Sequence, residues 1–407
     1  MSYAPSASLP MASQQAKKGR TKIKDDGLLG GYRVSPDRTV AFIQEWLPRY
    51  RLSFFNLLRD VLGTERIDLR LYHGQPVGAM AKRSDAAGLP WAYQVANSHL
   101  GSLVWQPVWR QSRRADLVIV EQANRLALNY LLLAARPAGG PRVAFFGHGA
   151  NLQGDPASLR ERWKRMWIRT PNWWFAYTDG SADRVLSGGF PANRITVVQN
   201  AVDTSALTEV GIPKRPGRCI YVGSLYEYKR LPFLLEAADS IAANVPQFEL
   251  IVVGDGPLRP WLQSEAESRP WLRYEGADHG PARDKLFVSS ELTLVTGTVG
   301  LVIVDSFAAR APLVAIDKAL HSPEVEYLQD GVNGRLLAPE SAKQYADAVT
   351  QLLMDRPLRE RLMEGCVRSS RKYTVEAMAT NFASGIMAAL DMPIHQNDAV
   401  HTGILGR

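Results

Sequence analysis

The sequence is poor in cysteine: Cys219 and Cys366 are the only two in 407 residues, and they lie far apart. That excludes a disulfide-stapled scaffold and a cysteine-built zinc site, and it fits a reducing compartment. The expected location is therefore the cytoplasm. No run of eighteen or more apolar residues occurs, so no membrane-spanning helix is expected. The N-terminus lacks an apolar core followed by a small-residue cleavage site, so no signal peptide is expected. No GxGxxG follows a strand pattern; GHGANLQ (147–153) begins like one but lacks the third glycine. Walker loop, GxSxG elbow and paired-histidine zinc motif are likewise missing. These absences argue against a dinucleotide dehydrogenase, a P-loop kinase, an α/β-hydrolase and a zincin.

The length suggests two domains, and 46% hydrophobic with 22% charged residues is ordinary for a soluble protein. The formal charge of +8 favours anionic partners, whether nucleic acid, anionic lipid or phosphorylated small molecules. Residues 1–35, rich in Ser, Ala, Gln, Lys and Gly with a basic run at Lys17–Lys24, read as a disordered basic tail. From Thr39 onward short apolar strands alternate with helical patterns: VAFIQEWL, a helix Arg51–Val61, IDLRLYHG, ADLVIVEQ, a helix Asn124–Ala135, PRVAFFGHG, WWFAYTDG and ANRITVVQN. A polar joint spans 201–217. The alternation then restarts with RCIYVGS, a helix Leu231–Ala243, FELIVVGDGP, a helix near Leu258–Ser268, WLRYEG, a short helix and ELTLVTG. Helices Ser341–Met354, Leu358–Arg371 and Val375–Leu390 follow. This is the pattern of α/β domains with doubly wound parallel sheets. The expected division is 36–200, a linker 201–217, 218–374, a last helix 375–390 and a tail 391–407. Ligands of such sheets bind beyond the carboxyl ends of the strands.

The densest chemistry lies in VTGTVGLVIVDSFAARAPLVAIDKALHSP (295–323). Gly297 and Gly300 are expected to bracket a helix start, whose free N–H groups and dipole suit a diphosphate. Asp305 stands among Leu301, Val302, Ile303, Val304, Phe307 and Ala308, where a carboxylate needs donors to be buried. A ribose diol is one such donor pair. The alternative is a capped core helix whose Asp305 faces water.

Four blocks carry a resemblance: YVGSLYEYKRLPFLLEAA, ELIVVGDGP, GLVIVDSFAARAPLVA and HSPEVEYLQDGVNGRLL, in that order over about Arg218–Tyr373. Together they resemble the nucleotide-sugar domain of family 4 glycosyltransferases, which have the GT-B fold of two Rossmann-like domains facing across a cleft. QNAVDT (199–204) resembles the interdomain segment; over 36–198 the likeness rests on FGHG, TDG and strand order. The resemblance implies transfer of a sugar from a nucleotide-diphosphate donor to an acceptor hydroxyl, with retained configuration. It implies no metal and no other cofactor. The departing diphosphate needs positive charge, which a lysine and helix N-termini would supply. Lys229 matches the phosphate lysine. The family's arginine five residues earlier is Ser224 here, with Arg230 and Arg49 as candidate replacements. The two glutamates that the family spaces eight apart are Gly297 and Asp305 here. With Val299, Gly300 and Leu301 they would form the donor loop, Gly297 through its backbone only. His148, flanked by Gly147 and Gly149, matches a histidine that approaches the donor sugar; the alternative is a loop histidine bonded to backbone. Glu324 resembles the Pro-Glu of the next loop, and equally fits a carboxylate at a helix start. Asn200 is expected to bond backbone at the joint, and Asp255 to shape its loop. The segment LPRYRLSFF (47–55) would face the acceptor. There Arg49 and Arg51 either meet an anionic group or are surface arginines.

Residues 159–174, LRERWKRMWIRTPNWW, combine Arg160, Arg162, Lys164, Arg165 and Arg169 with a helical Leu159/Trp163/Met166/Trp167 face. Trp105, Trp109, Arg110, Arg113 and Arg114 form a second such cluster. Both fit either contact with an anionic membrane surface or a tryptophan face packed on the core. Nucleic acid is not an expected partner, since no recognised module for it occurs. The expectation is a glycosyltransferase building a bacterial surface polysaccharide or glycolipid, acting on a saccharide or lipid-linked saccharide, peripheral on the inner face of the plasma membrane. The rivals are a 2-epimerase-like enzyme on the same fold and a noncatalytic sugar-nucleotide binder.

Overall fold

In β1 (Arg38–Gln44) five consecutive residues, Val40–Gln44, are buried, so the strand must be covered on both faces. It lies inside a sheet of seven strands. After it a 3-10 turn, Arg49–Arg51, runs into α1 (Leu52–Thr64). That helix buries Phe54, Phe55, Leu58 and Leu62, one helical face. The structure, a computed structural model, describes residues 36–76, 87–149, 166–208, 211–277, 280–339 and 341–392. The expected tail 1–35, nearly all of the tail 391–407, and the residues Leu159–Arg165 lie outside the described residues.

The chain continues through β2 (Ile67–His73), β3 (Tyr93–Gln94), a small ribbon of β4 (Ser98–Leu100) and β5 (Leu103–Trp105), and α2 (Trp109–Ser112). Then come β6 (Leu117–Glu121), α3 (Ala127–Ala135), β7 (Arg142–Gly147), β8 (Trp173–Ala176), α4 (Asp179–Ser187) and β9 (Ile195–Val197). All pairs of the first sheet are parallel, in the order β3-β2-β1-β6-β7-β8-β9. The order reverses at β1/β6, the kind of switch point beyond which ligands sit in open α/β sheets.

After α5 (Ser205–Thr208) the second sheet is built from β10 (Arg218–Val222), α6 (Leu231–Asn244), β11 (Glu249–Val253), α7 (Arg259–Ser268), β12 (Leu272–Gly276) and α8 (Pro281–Ser289). It is completed by β13 (Leu292–Val295), α9 (Val302–Ala308), β14 (Leu313–Ile316) and β15 (Gly334–Leu337). Its six strands are parallel in the order β12-β11-β10-β13-β14-β15. Two doubly wound α/β domains are therefore present, as the alternation of strands and helices required. The ribbon β4–β5 and strand β15 were not anticipated.

Helices α10 (Ala342–Met354), α11 (Arg356–Lys372) and α12 (Val375–Asp391) are the last of the described elements. Thr374 caps α12 by accepting from Ala377 N at 3.0 Å. This helix lies on the first sheet: Phe382 stacks on Phe175 with centroids 4.4 Å apart and also meets Phe42 and Phe54. Gly385 permits the approach, because a Cβ there would stand 2.6 Å from the Phe175 ring. Asn381 Nδ2 donates to Val198 O, and Arg38 pairs with Asp391. One buried cluster runs without a break from Phe42, Phe54 and Phe146 through Met378 and Phe382 to Val299, Ile303, Phe307 and Tyr327. The two sheets thus share a core at the joint.

Candidate functional site between the carboxyl ends of the two sheets

On the second sheet the loops after β10 and β13 are fastened to each other. Lys229 ends a 3-10 turn, Glu227–Lys229, and its Nζ donates to Thr298 O at 2.6 Å. Thr296 Oγ1 donates to Lys229 O and Arg230 O, at 3.3 and 3.1 Å. Between these bonds Gly297 lies flush on the facing chain: a Cβ there would stand 2.3 Å from Tyr228 O and 2.5 Å from Lys229 Cα. The glycine at 297 is therefore a requirement of the way this loop packs on the 228–230 turn. Ser224 Oγ lies 3.3 Å from the Tyr228 hydroxyl, in the same turn. Arg230 adopts the left-handed conformation, φ 54°, where α6 begins, and its guanidinium covers the Phe233 ring at 4.6 Å.

Gly297 and Gly300 do not bracket the helix. Both precede it, since α9 starts at Val302 with Leu301 in its N-cap place. Gly300 is open, with only Ser322 Oγ near a would-be Cβ, at 3.9 Å. Val299 is buried, and its N–H donates to His321 Nδ1 at 3.1 Å. His321 Nε2 lies 2.9 Å from Ile316 O, an acceptor, so the proton is on Nε2 and the ring is neutral. Burial holds its pKa below the ordinary histidine value, and the Lys229 charge acts in the same direction. His321 was missed in the sequence; nothing marks it but its place in HSPEVEYL. Protonation would turn the Nδ1 acceptor into a donor facing Val299 N–H. Between the lowered folded value and the ordinary 6.5, the unfolded chain binds the proton and the folded chain does not. Stability therefore falls on acidification through that window and levels off below the folded value, where both states hold the proton. Nucleotide affinity is expected to fall over the same range, measured by titration from about pH 7.5 to about pH 5. A His321→Gln protein should show a flatter profile.

Asp305 does not face water. Arg283, in the first turn of α8, pairs with it and with Asp284, and none of the three side chains is more than 15% exposed. The donor that satisfies this carboxylate is a guanidinium from the same domain, packed 5.4 Å over Phe287. Asp255 keeps the role expected of it, accepting from Gly256 N at 2.8 Å within its loop.

On the first sheet, Glu121 ends β6, His148 follows β7 and Tyr177 follows β8. The His148 ring stands edge-on to Tyr177 at 4.4 Å, and its carbonyl accepts from Arg184 Nε at 3.2 Å. Gln122 clamps the adjoining turn: Gly149 N donates to its Oε1 at 3.1 Å. Glu121 Oε2 accepts from Glu45 N at 2.9 Å, and Glu45 pairs with Arg125. Burial, opposed by that bond and by Arg125 and Arg51, raises the Glu121 pKa. A carboxylate closing the apolar run LVIVE was a signal available in the sequence and was not taken up.

Arg51 is not a surface arginine. It is 4% exposed, and its guanidinium sits 5.2–6.0 Å from the Tyr50, Phe54, Phe146 and Tyr177 rings. Its Nη1 donates to Met378 Sδ of α12 at 3.5 Å. Arg49 is exposed.

The turn Pro323–Tyr327 joins the two edges. Glu324, 3% exposed, accepts from Asn200 Nδ2 at 2.5 Å. Asn200 thus bonds a carboxylate with its side chain instead of backbone, and its buried Oδ1 has no hydrogen-bond partner among the described residues. Glu326 accepts from Gly180 N at 2.8 Å and pairs with Arg184. The Tyr327 hydroxyl donates to Asn200 O at 3.2 Å. Burial raises the Glu324 pKa, moderated first by Asn200 and also by Arg51. The structure thus gathers Lys229, Gly297 and Val299 in one place and Glu324 with Arg51 at the joint. It ties the His148 turn to Glu324's turn through Arg184.

Among the described residues, no three His, Cys, Asp or Glu side chains are grouped to hold a metal ion, and no helix is long and apolar enough to cross a membrane. Trp167 packs against a separate buried cluster of the first domain that includes Ile43, Val120, Leu132 and Trp174, and stands 5.3 Å from Tyr130, edge-on.

A family model for glycosyl transferases group 1 matches residues 204–365. The alpha-D-kanosaminyltransferase of Streptomyces kanamyceticus is 27% identical over 70% of this chain and 81% of its own length. The phosphatidyl-myo-inositol mannosyltransferase of Mycobacterium leprae is 24% identical over 72% of this chain and 80% of its own. Among solved structures, HepE of Anabaena in complex with UDP-glucose is 17% identical with a TM-score of 0.61, covering 86% of this chain and 100% of that one. The glycosyltransferase of Rickettsia africae is 12% identical with a TM-score of 0.66, covering 88% and 99%. The fold is GT-B, and the family model with the named relatives supports a glycosyltransferase.

Proposed function

We propose that this glycosyltransferase belongs to family 4 and moves a sugar from a nucleotide-diphosphate donor to an acceptor hydroxyl with retention. The acceptor is a saccharide or lipid-linked saccharide of a bacterial surface polysaccharide or glycolipid. The observation that carries the reading is the fastening of Lys229 to the 296–299 loop at the carboxyl edge of the second sheet. That fixes a cation and a run of backbone at the place where open α/β sheets bind ligands. In the reaction the C1–O bond of the donor breaks and its electron pair passes to the diphosphate. The acceptor oxygen bonds C1, and its proton ends on the released phosphate. Lys229 stabilises the charge on the departing diphosphate without a metal ion. Glu324 and the backbone at Gly300 and Leu301 hold the donor, and Asp305 is kept in place by Arg283. His148 approaches the sugar, and the Arg49–Arg51 loop lies on the acceptor side. Relatives and neighbours lend weight: HepE was solved with UDP-glucose, and two of the named relatives are a kanosaminyltransferase and a mannosyltransferase.

A second reading, a sugar-nucleotide binder without turnover, is favoured by Ser224 and by the Gly297 packing, which leaves no side chain to touch the sugar. The test of both is a thermal-shift screen of UDP-, GDP- and ADP-sugars, with and without EDTA, beside Lys229→Ala. One nucleotide class should raise Tm by a few degrees at saturating ligand. EDTA should leave the shift unchanged, and Lys229→Ala should remove it. No shift with any nucleotide would overturn the donor-site reading. Donor binding without transfer or hydrolysis would favour the binder.

A further inference from the structure

Residues 87–115 contain no aspartate or glutamate, and they end with Arg110, Arg113 and Arg114, all exposed. Within them β4 and β5 pair antiparallel, with Ser98 opposite Trp105, His99 opposite Val104 and Leu100 opposite Leu103. Side chains alternate along a strand, so Leu100, Leu103 and Trp105 share one face of this ribbon. The opposite face is anchored: Val104 is buried, and its N–H donates to Arg125 O at 2.7 Å. The shared face is open, with Leu100 81%, Leu103 43% and Trp105 37% exposed. Two leucines and a tryptophan side by side on one short hairpin are a patch, unlike the single apolar residues scattered on any surface.

Position gives the patch its meaning. Gln106 Nε2 donates to Gln44 O, and Asn97 Nδ2 donates to Glu45 O, both at 2.9 Å. These carbonyls are at the carboxyl end of β1, so the ribbon stands beside the loop that leads to Arg49 and Arg51. An isolated two-stranded ribbon is marginal in water; these bonds hold this one in a fixed place at the acceptor edge. A protein partner would need an apolar pocket with an acidic rim. An anionic bilayer offers both features in one surface, with tryptophan at the headgroup level and arginines on the phosphates.

We propose that the Leu100–Leu103–Trp105 face of the ribbon, followed in the chain by the exposed Arg110, Arg113 and Arg114, docks on an anionic lipid bilayer and turns the acceptor edge of the first sheet toward it. The proposal deepens the acceptor half of the proposed function and rests on it for the acceptor being amphiphilic. Vesicle binding is read without donor or turnover, so the two fail separately.

The experiment is sedimentation of the full chain with vesicles of phosphatidylglycerol and phosphatidylcholine in equal parts, and of phosphatidylcholine alone. The wild-type chain should pellet with the anionic vesicles only, and less as salt rises. Leu100→Asp with Leu103→Asp should lower the partition about tenfold or more at unchanged Tm. Arg110→Gln with Arg114→Gln, which leaves the leucines in place, should also lower it. Both variants should transfer normally to a soluble acceptor saccharide. Equal pelleting of the leucine variant and the wild type would overturn the proposal. So would wild-type binding to the neutral vesicles as strong as to the anionic ones. Failure to bind any vesicle, with or without self-association through Leu100, would also overturn it, and self-association would assign the patch to a protein partner.

Discussion

Gly297→Glu is expected to abolish nucleotide binding and lower stability, although it writes a family glutamate back into the donor loop. The reason is local. A Cβ at 297 would overlap Tyr228 O at 2.3 Å and Lys229 Cα at 2.5 Å, and these are backbone atoms that no rotamer change moves aside. The 228–230 turn would have to retreat. In doing so it would break the Lys229 bond to Thr298 O and the Thr296 bonds to Lys229 O and Arg230 O. Overpacking of this kind costs about 1–3 kcal/mol before the lost hydrogen bonds are added. Gly297→Ala should show most of the same loss, because the Cβ alone makes the clash. Thermal unfolding and nucleotide titration of both variants check this, with at least a tenfold loss of affinity expected. A glutamate variant that binds donor more tightly than the wild type would mean the loop is free to open, and the packing argument would fail. At this position, where the family that the sequence resembles carries a glutamate, the two loops are closer than a side chain permits.

Much of the architecture was legible in the sequence because buried parallel strands read as short apolar runs, and IVV, LTLV and VAFI are unmistakable. The helices expected at Ser341–Met354 and Val375–Leu390 are observed at Ala342–Met354 and Val375–Asp391, and their starts are fixed by the side-chain caps Ser341 and Thr374. Helix α9 was placed too early, since two glycines before an apolar run look the same whether they cap it or precede it by a turn. The site was legible only where one segment carries it. Lys229 and the 297–301 loop are local motifs. Arg51 was not legible: LPRYRLSFF left it either on an anionic group or on the surface, and the box around its guanidinium comes from Phe146, Tyr177 and Met378. The same holds for Arg283, whose partner Asp305 stands twenty-two residues away. The ribbon was missed because its strands are three residues each, too short to show a period.

Replacing Glu324 by Gln is expected to stabilise the protein at neutral pH while lowering kcat/KM, and replacing it by Ala to destabilise it. Glu324 is buried at the joint and takes the Asn200 amide hydrogen. Burial raises its pKa above 4.5. Between 4.5 and the raised folded value, the folded chain holds a proton that the unfolded chain has released. The glutamate's contribution to stability therefore declines as pH climbs through that window, and above it the full cost of the buried charge is present. Gln keeps an acceptor oxygen for Asn200 and does not titrate. The Tm difference, Glu324→Gln protein minus wild type, should thus grow from near zero below pH 4.5 to a positive plateau above the folded value. Ala keeps neither charge nor acceptor. It leaves the Asn200 amide unpaired beside an Oδ1 that already lacks a partner, at a cost of about 1–3 kcal/mol. Melting curves from about pH 4 to about pH 8, with steady-state kinetics near neutrality, read both effects. A structural carboxylate would make the Gln variant stable and fully active, whereas a donor-binding one makes it stable and slow. A Gln variant less stable than the wild type at neutral pH would mean the charge itself is held favourably by Arg51 and Asn200. The joint would then be an ion site and not a buried acid. The split between stability and activity is what the position of Glu324 requires if it serves the donor, because a carboxylate kept at an energetic cost is one that something other than folding retains.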